Sequence, residues 1–312
     1  MKAVLPGLAR GLLEPHLPAG IEAAWFASPA EAKAMIADAA IAWVDMQPTA
    51  LVADAIRAAG PDLRWVSTIY AGLDAFPLDL LRERGVTLTN GAGINAVAVA
   101  EYAVLGVLAA AKRFDTVLRA GDRQDWLKDA PGKIELDGTR ALVIGYGTIG
   151  RLIGDRLNAF GVDVTGVTRS GRDGTLTPDA WPARLGAFDW VVLAAPSTDT
   201  TKAMIGADAL AAMQPTAWLI NIARGDMIDQ QALVAALESG GIAGAFLDPT
   251  DPEPLPPGHP LWTAPNCMIS MHMSGRSQTR MFQRAAALFL DNLHAFVAGK
   301  PMRNVADLDA GY

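Results

Sequence analysis

Cysteine is almost absent from this chain: Cys267 is the single one among 312 residues. That scarcity excludes an internal disulfide framework and any multi-cysteine metal site, and no metal is expected. Cys267 falls in Asn266–Ser270, a short apolar stretch that predicts a strand, so its default place is as a small buried hydrophobe. Basic residues are also scarce, 26 Lys and Arg against 33 Asp and Glu, for a formal net charge of -7. A nucleic acid or an anionic membrane requires clustered cations, so neither is expected as a partner. No apolar run approaches the roughly 18 residues of a membrane span. Pro6 and Arg10 interrupt the first apolar residues before a signal-peptide core could form, so the expectation is a cytoplasmic protein that handles small molecules.

What the chain has in quantity is apolar residues, 51% of the total. Its length exceeds the usual range of one core, so two domains are expected. From Lys2 to Asn90, strand-like Ala3–Leu5, Glu22–Phe26, Ala40–Val44 and Leu63–Thr68 alternate with Ala-rich helical stretches such as Leu51–Ala59, which predicts a small parallel α/β sheet. Tyr70-Ala71-Gly72-Leu73-Asp74 then lies where a strand's carboxyl end meets a loop. Open α/β sheets bind ligands at such places, and a glycine there exposes backbone N–H groups to a small anion; an ordinary β-to-α turn fits the same residues equally well. Asn90–Asn95 is a glycine-rich loop that opens one long helical stretch, Ala96 to about Arg119, apolar on nearly every face of its first half and expected to be buried between domains. Asp122–Gly138 is polar and irregular, with Trp126 as its one large anchor.

The most specific local signal is Ala141-Leu142-Val143-Ile144-Gly145-Tyr146-Gly147-Thr148-Ile149-Gly150, an apolar run ending in G-x-G-x-x-G. An amphipathic helix follows, and Val162–Val167 completes a βαβ unit of about 30 residues. In this context Gly145 makes the turn and Gly147 lets the backbone approach a pyrophosphate. Gly150 lets the helix lie close on its strand, and the helix N-terminus, with Thr148 and Ile149, points at the phosphates. Further strands at Trp190–Ala194, Ala217–Ile220 and Ile242–Phe246 alternate with helices near Asp208–Met213 and Gln230–Ser239, the rhythm of a doubly wound fold. Pro249 to Pro260 carries six prolines and predicts a rigid loop. Gln278–Ala298 is helical and is expected to recross to the first domain.

The end of the second strand indicates which dinucleotide binds. NAD-selective units usually carry an acidic residue there for the ribose hydroxyls. This chain has Thr168-Arg169-Ser170-Gly171-Arg172 instead, and a guanidinium beside a hydroxyl, Arg169 with Ser170, suits a 2′-phosphate. NADP(H) is therefore the expected cofactor, with NAD(H) possible. Chemistry is expected at the strand ends. Of four histidines, His16 and His294 read as structural and His259 as a cap in the proline-rich loop, whereas His272 follows a strand end. Arg224 and Glu253 follow strand ends in the same way.

Taken together, Tyr70–Asp74, Asn90–Glu101, Gly145–Gly150, Asn221–Gly225, Leu247–Leu255 and His272–Gly275 resemble the D-isomer-specific 2-hydroxyacid dehydrogenases, and the basic Thr168–Arg172 segment looks most like the glyoxylate and hydroxypyruvate reductase branch. The resemblance implies an α/β fold of two doubly wound parallel-sheet domains, Rossmann-like and flavodoxin-like, around a cleft. Residues 1–104 with 275–312 would be the substrate domain and 105–274 the dinucleotide domain. It implies a homodimer joined through the nucleotide domains, by an arm like Asp122–Gly138. It also implies reduction of a small 2-keto acid, with Arg224, Glu253 and His272 as the catalytic trio. Arg224 would clamp the substrate carboxylate together with the backbone N–H groups of Ala71 and Gly72. His272 would supply the proton, with Glu253 on its second ring nitrogen. Asp248 is placed near the nicotinamide carboxamide, and Ala195 and Pro196 under the ring. Two positions depart from the family pattern: Pro249 stands where a small apolar residue is usual, and Met271 where proline usually precedes the histidine. A formate or phosphite dehydrogenase relative is the alternative enzyme, disfavoured by Glu253 where formate dehydrogenases carry glutamine. A nucleotide-sensing, corepressor-like binding protein would keep the same residues.

Overall fold

All pairings between the strands are parallel, as the alternating pattern predicts. The computed structural model describes residues 1–46, 48, 50–73 and 75–309, so Asp74 of the Tyr70–Asp74 motif lies outside the described residues. Two compact units result: Met1–Asn95 with the segment from Gln278 on, and Ala96–Ser277. Among the described residues no helix is long and apolar enough to cross a membrane.

The first unit runs β1 (Lys2–Pro6), α1 (Arg10–Leu13), β2 (Glu22–Phe26), α2 (Pro29–Met35), β3 (Ile41–Ala42), α3 (Ala50–Arg57), β4 (Trp65–Ser67), α4 (Leu78–Glu83) and β5 (Thr87–Thr89). Its sheet order, β2-β1-β3-β4-β5, is flavodoxin-like. β1, β3 and β4 in the middle of the sheet are short, mostly apolar runs because both of their faces are covered. A cap fixes the start of α2: Ser28 Oγ accepts a hydrogen bond from Glu31 N at 3.3 Å, with Pro29 in the first turn.

The second unit runs α5 (Ala96–Lys112), α6 (Phe114–Asp122), β6 (Arg140–Ile144), α7 (Thr148–Asn158), β7 (Asp163–Val167), β8 (Trp190–Leu193), α8 (Ala207–Ala212), β9 (Trp218–Asn221), α9 (Gln230–Glu238), β10 (Gly244–Leu247) and β11 (Cys267–Ile269). The order is β11-β10-β9-β8-β6-β7, and Leu176 forms a parallel bridge to Val167 on the outer side of β7. That bridge stands where a dinucleotide-binding sheet has its third strand, and the strand order reverses between β6 and β8.

Two expectations are corrected here. The single helix expected from Ala96 to about Arg119 is two helices, because Arg113 adopts a left-handed backbone with φ 47°. Its side chain holds the break: Nε donates to Asp115 Oδ1 at 3.4 Å, Nη2 donates to Thr116 Oγ1 at 3.2 Å, and the guanidinium lies 5.9 Å from the Trp218 ring centroid. Trp126 does not anchor its segment, since 92% of its surface is exposed.

The chain then returns to the first unit through α10 (Met281–Val297). Strand alternation divides that unit's core into two faces. Val4, Ala42, Val66 and Leu88 pack with α2 and α3, whereas Ala3, Leu5, Ile41 and Trp65 pack with α10. Phe289 of α10 stacks on Trp65 with ring centroids 5.0 Å apart and lies 5.3 Å from Trp43.

Candidate active site

The turn after β6 has the geometry a pyrophosphate needs. Gly145 takes φ 97°, and a Cβ there would run into the backbone of Ala194 and Ala195, so only glycine fits. Gly147 faces open space, and the first backbone bond of α7 is Arg151 N to Gly147 O at 2.9 Å. The N–H groups of Thr148, Ile149 and Gly150 therefore have no helical acceptor and lie at the positive end of the helix. A dinucleotide fits this cradle. At the end of β7, Arg169 and Ser170 are exposed, and Arg172 Nε donates to Ser170 Oγ at 3.0 Å. The nearest following carboxylate, Asp173, is paired with Arg151 at 3.1 Å.

The catalytic candidates follow three neighbouring strands at one edge of the sheet, β9, β10 and β11. At the end of β9, buried Asn221 folds the chain back on itself: Ala223 N donates to its Oδ1 at 3.0 Å, and its Nδ2 donates to Arg224 O at 2.8 Å. Arg224 Nη1 donates to Ala223 O at 2.8 Å. At Gly225 the loop presses so closely on Thr250 and Asp251 that a Cβ would overlap their backbone. That contact sets the Arg224 loop against the Glu253 loop. The loop after β8, which carries Ala195 and Pro196, is tied in as well, since Ser197 Oγ donates to Asp226 Oδ2 at 2.8 Å.

Glu253 and His272 meet directly: His272 Nδ1 is 2.9 Å from Glu253 Oε2, and Thr250 N donates to Glu253 Oε1 at 3.1 Å. The carboxylate thus occupies one ring nitrogen and leaves Nε2 for other chemistry. Met271 and His272 both sit at left-handed φ values, 55° and 54°. Proline, fixed near -65°, could not occupy position 271 in this turn, which gives the departure from the family pattern a physical basis. Asp248 holds the turn together. Its carbonyl accepts from His272 N at 2.7 Å, and its Oδ1 accepts from Ser270 Oγ at 2.7 Å, Met273 N at 2.9 Å and Ser274 N at 3.2 Å. Oδ2 accepts a longer bond from Ser274 N, at 3.3 Å. Sequence reading placed Asp248 at the site but missed this anchoring, and it missed Asn221 as the residue that shapes the arginine loop. An asparagine closing a strand three residues before the arginine was the available signal.

In the first unit, the loop after β4 carries Ala71 and Gly72. Among the described residues their backbone N–H groups have no acceptor. Tyr70 packs against both cores of its unit. Of the other histidines, His259 is a cap, its Nδ1 accepting from Leu261 N at 3.3 Å.

A model of the D-isomer specific 2-hydroxyacid dehydrogenase NAD binding domain matches residues 104–274. The chain is 35% identical over 256 residues to the glyoxylate reductase/hydroxypyruvate reductase of Mus musculus, an alignment covering 79% of this chain and 78% of the relative. Among solved structures it is similar to a D-isomer specific 2-hydroxyacid dehydrogenase family protein from Aeromonas salmonicida, at 28% identity and a TM-score of 0.87 over 99% of both chains. It is also similar to an NADPH-dependent glyoxylate/hydroxypyruvate reductase from Sinorhizobium meliloti, solved with NADP and malonate, at 26% identity and a TM-score of 0.79 over 99% of this chain and 98% of that one.

Proposed function

Since the chain belongs to the D-isomer specific 2-hydroxyacid dehydrogenase family and is an NAD(P)-dependent oxidoreductase, we propose that it reduces small 2-keto acids of the glyoxylate and hydroxypyruvate kind to D-2-hydroxy acids, with NADPH as preferred cofactor. The observation that carries this reading is the His272–Glu253 pair at 2.9 Å, set on the same sheet edge as Arg224. The bound reduced nicotinamide supplies the hydride that adds to the keto carbon. Arg224 holds the substrate carboxylate and draws density from the carbonyl, and the N–H groups of Ala71 and Gly72 take the carboxylate's other side. His272 gives the proton from Nε2 to the carbonyl oxygen as it becomes an alkoxide, while Glu253 stays on Nδ1 and fixes the ring. Gly145, Gly147, Thr148, Ile149 and Gly150 hold the pyrophosphate. Ala195 and Pro196 floor the nicotinamide, and Asp248 Oδ2 is the oxygen left for its carboxamide. Arg169 and Ser170 take the 2′-phosphate.

The active assembly is a homodimer in the cytoplasm. An exposed apolar face supports the dimer: Phe114, Val117 and Leu118 of α6 and Trp126 beyond it.

Initial rates for a panel of small 2-keto acids with NADPH and with NADH test the reading. Glyoxylate or hydroxypyruvate should turn over, and kcat/KM should favour NADPH by on the order of 10- to 100-fold, the worth of charge-assisted bonds to a 2′-phosphate. Equal efficiency with both cofactors would remove the cofactor assignment. NADPH binding without any turnover would favour a nucleotide-sensing protein instead.

A further inference from the structure

We propose that Asp45 is a positioning residue for the substrate: it clamps the loop after β4 so that the N–H groups of Ala71 and Gly72 face outward as a ready donor pair. This rests on the reading above, in which those two groups bind the substrate carboxylate. Asp45 stands just past β3 at the carboxyl edge of the sheet, and its side chain reaches across to the loop of the neighbouring strand, β4. Oδ2 accepts from Ile69 N at 2.7 Å and from Trp43 Nε1 at 2.7 Å. Oδ1 accepts from Thr68 Oγ1 at 2.6 Å, and Thr68 Oγ1 in turn accepts from Tyr70 N at 3.0 Å.

The backbone N–H groups of Ile69 and Tyr70 are thus committed to Asp45 itself or to the hydroxyl that Asp45 orients, and that of Thr68 to Thr89 O on β5 at 3.0 Å. The backbone N–H groups of Ala71 and Gly72, which come next, have no acceptor among the described residues. On the opposite side Gly91 N donates to Tyr70 O at 2.8 Å, so the loop is fixed from β3 and from the segment after β5 together. A donor pair held in place before the anion arrives binds it without the cost of ordering a loop. Glyoxylate and hydroxypyruvate are anions, and a carboxylate buried behind their site would repel them if bare. The three donors on Asp45 offset that charge.

Steady-state kinetics on the full chain, with the 2-keto acid turned over fastest in the panel, test the role. Asp45→Ala should raise KM for the keto acid by about tenfold or more, the effect of losing one or two well-made bonds. It should change kcat little, because the loop grips ground state and transition state alike. KM for NADPH, bound by the other unit, should stay put. Asp45→Asn should recover most of the lost affinity, since its Oδ1 can accept from Trp43 and Ile69 while its Nδ2 donates to Thr68. Thr68→Val, which keeps the shape but breaks the link to Tyr70 N, should raise KM as Asp45→Ala does and carries the test if Asp45→Ala does not fold. Gly72→Pro, lacking the N–H, probes the loop reading itself. A raised KM in Gly72→Pro with wild-type KM in Thr68→Val and Asp45→Ala would overturn the positioning role and leave the loop reading standing. An unchanged KM in Gly72→Pro would overturn both.

Discussion

At the scale of single residues, the pair His272–Glu253 makes the sharpest demand. His272→Ala should lose roughly 10²-fold or more in kcat while NADPH still binds, as single-turnover rates and cofactor fluorescence would report. Glu253→Gln, which keeps a hydrogen bond to the ring, should lose less. Asp45 makes a different demand, on stability. Burial pushes its carboxyl up to about 6 against the bonds from Thr68, Ile69 and Trp43. An unfolded aspartate titrates near 3.9, so the folded state holds the proton more tightly. The stability from that proton is complete below about pH 4 and is lost as pH rises through about 6. Asp45→Asn does not titrate, so the Tm of the wild type relative to Asp45→Asn should fall between pH 4.5 and 7 and then level off. A difference in Tm that is flat across that range would contradict the assignment. Arg224, Glu253 and His272 were legible as candidates because each follows an apolar strand within a few residues. Asp45 was not, because its partners Thr68 and Ile69 lie 23 and 24 positions away on another strand's loop, where no local pattern reaches.

At the scale of elements, most strands were legible to within a few residues, since in a parallel sheet covered on both faces they are apolar runs bounded by turn residues, whereas β5, a single leucine between two threonines, carries too little apolar pattern to be read. Backbone sign was not. Arg113, Met271 and His272 take left-handed conformations that their side chains do not advertise, and surrounding bonds impose them. The break between α5 and α6 was missed for that reason, as was the turn that carries His272. Where two loops touch, Gly225 lies against Thr250 and Asp251, with no room for a methyl group. Gly225→Ala should therefore separate the Arg224 loop from the Glu253 loop. The expected result is a loss of at least about tenfold in kcat/KM, along with a lower Tm, and wild-type kinetics would show that the loops move independently.

At the scale of the whole molecule, the proposed dimer rests on the exposed apolar side chains of Phe114, Leu118 and Trp126. Light scattering should give the mass of a dimer, and Trp126→Glu should shift it toward the monomer by placing a charge in the patch that a dimer would cover. A monomer mass that does not change with concentration would contradict the dimer.

The stacking of Phe289 on Trp65 has a consequence for the order of events on the ribosome. The first sheet emerges with β1 to β5 and with Leu13 of α1, yet the face bearing Leu5, Ile41 and Trp65 is completed only when Phe289 and Leu293 of α10 arrive, after the whole nucleotide unit has been made. The part synthesised first is thus finished last, and until then it offers an apolar surface with two tryptophans, Trp43 and Trp65, to chaperones and to neighbouring nascent chains. In stalled translation intermediates that have exposed the chain through Ser277 but not α10, proteolysis should cut Met1–Asn95 and spare Ala96–Ser277. Release of the full chain should close the first unit in a single late step.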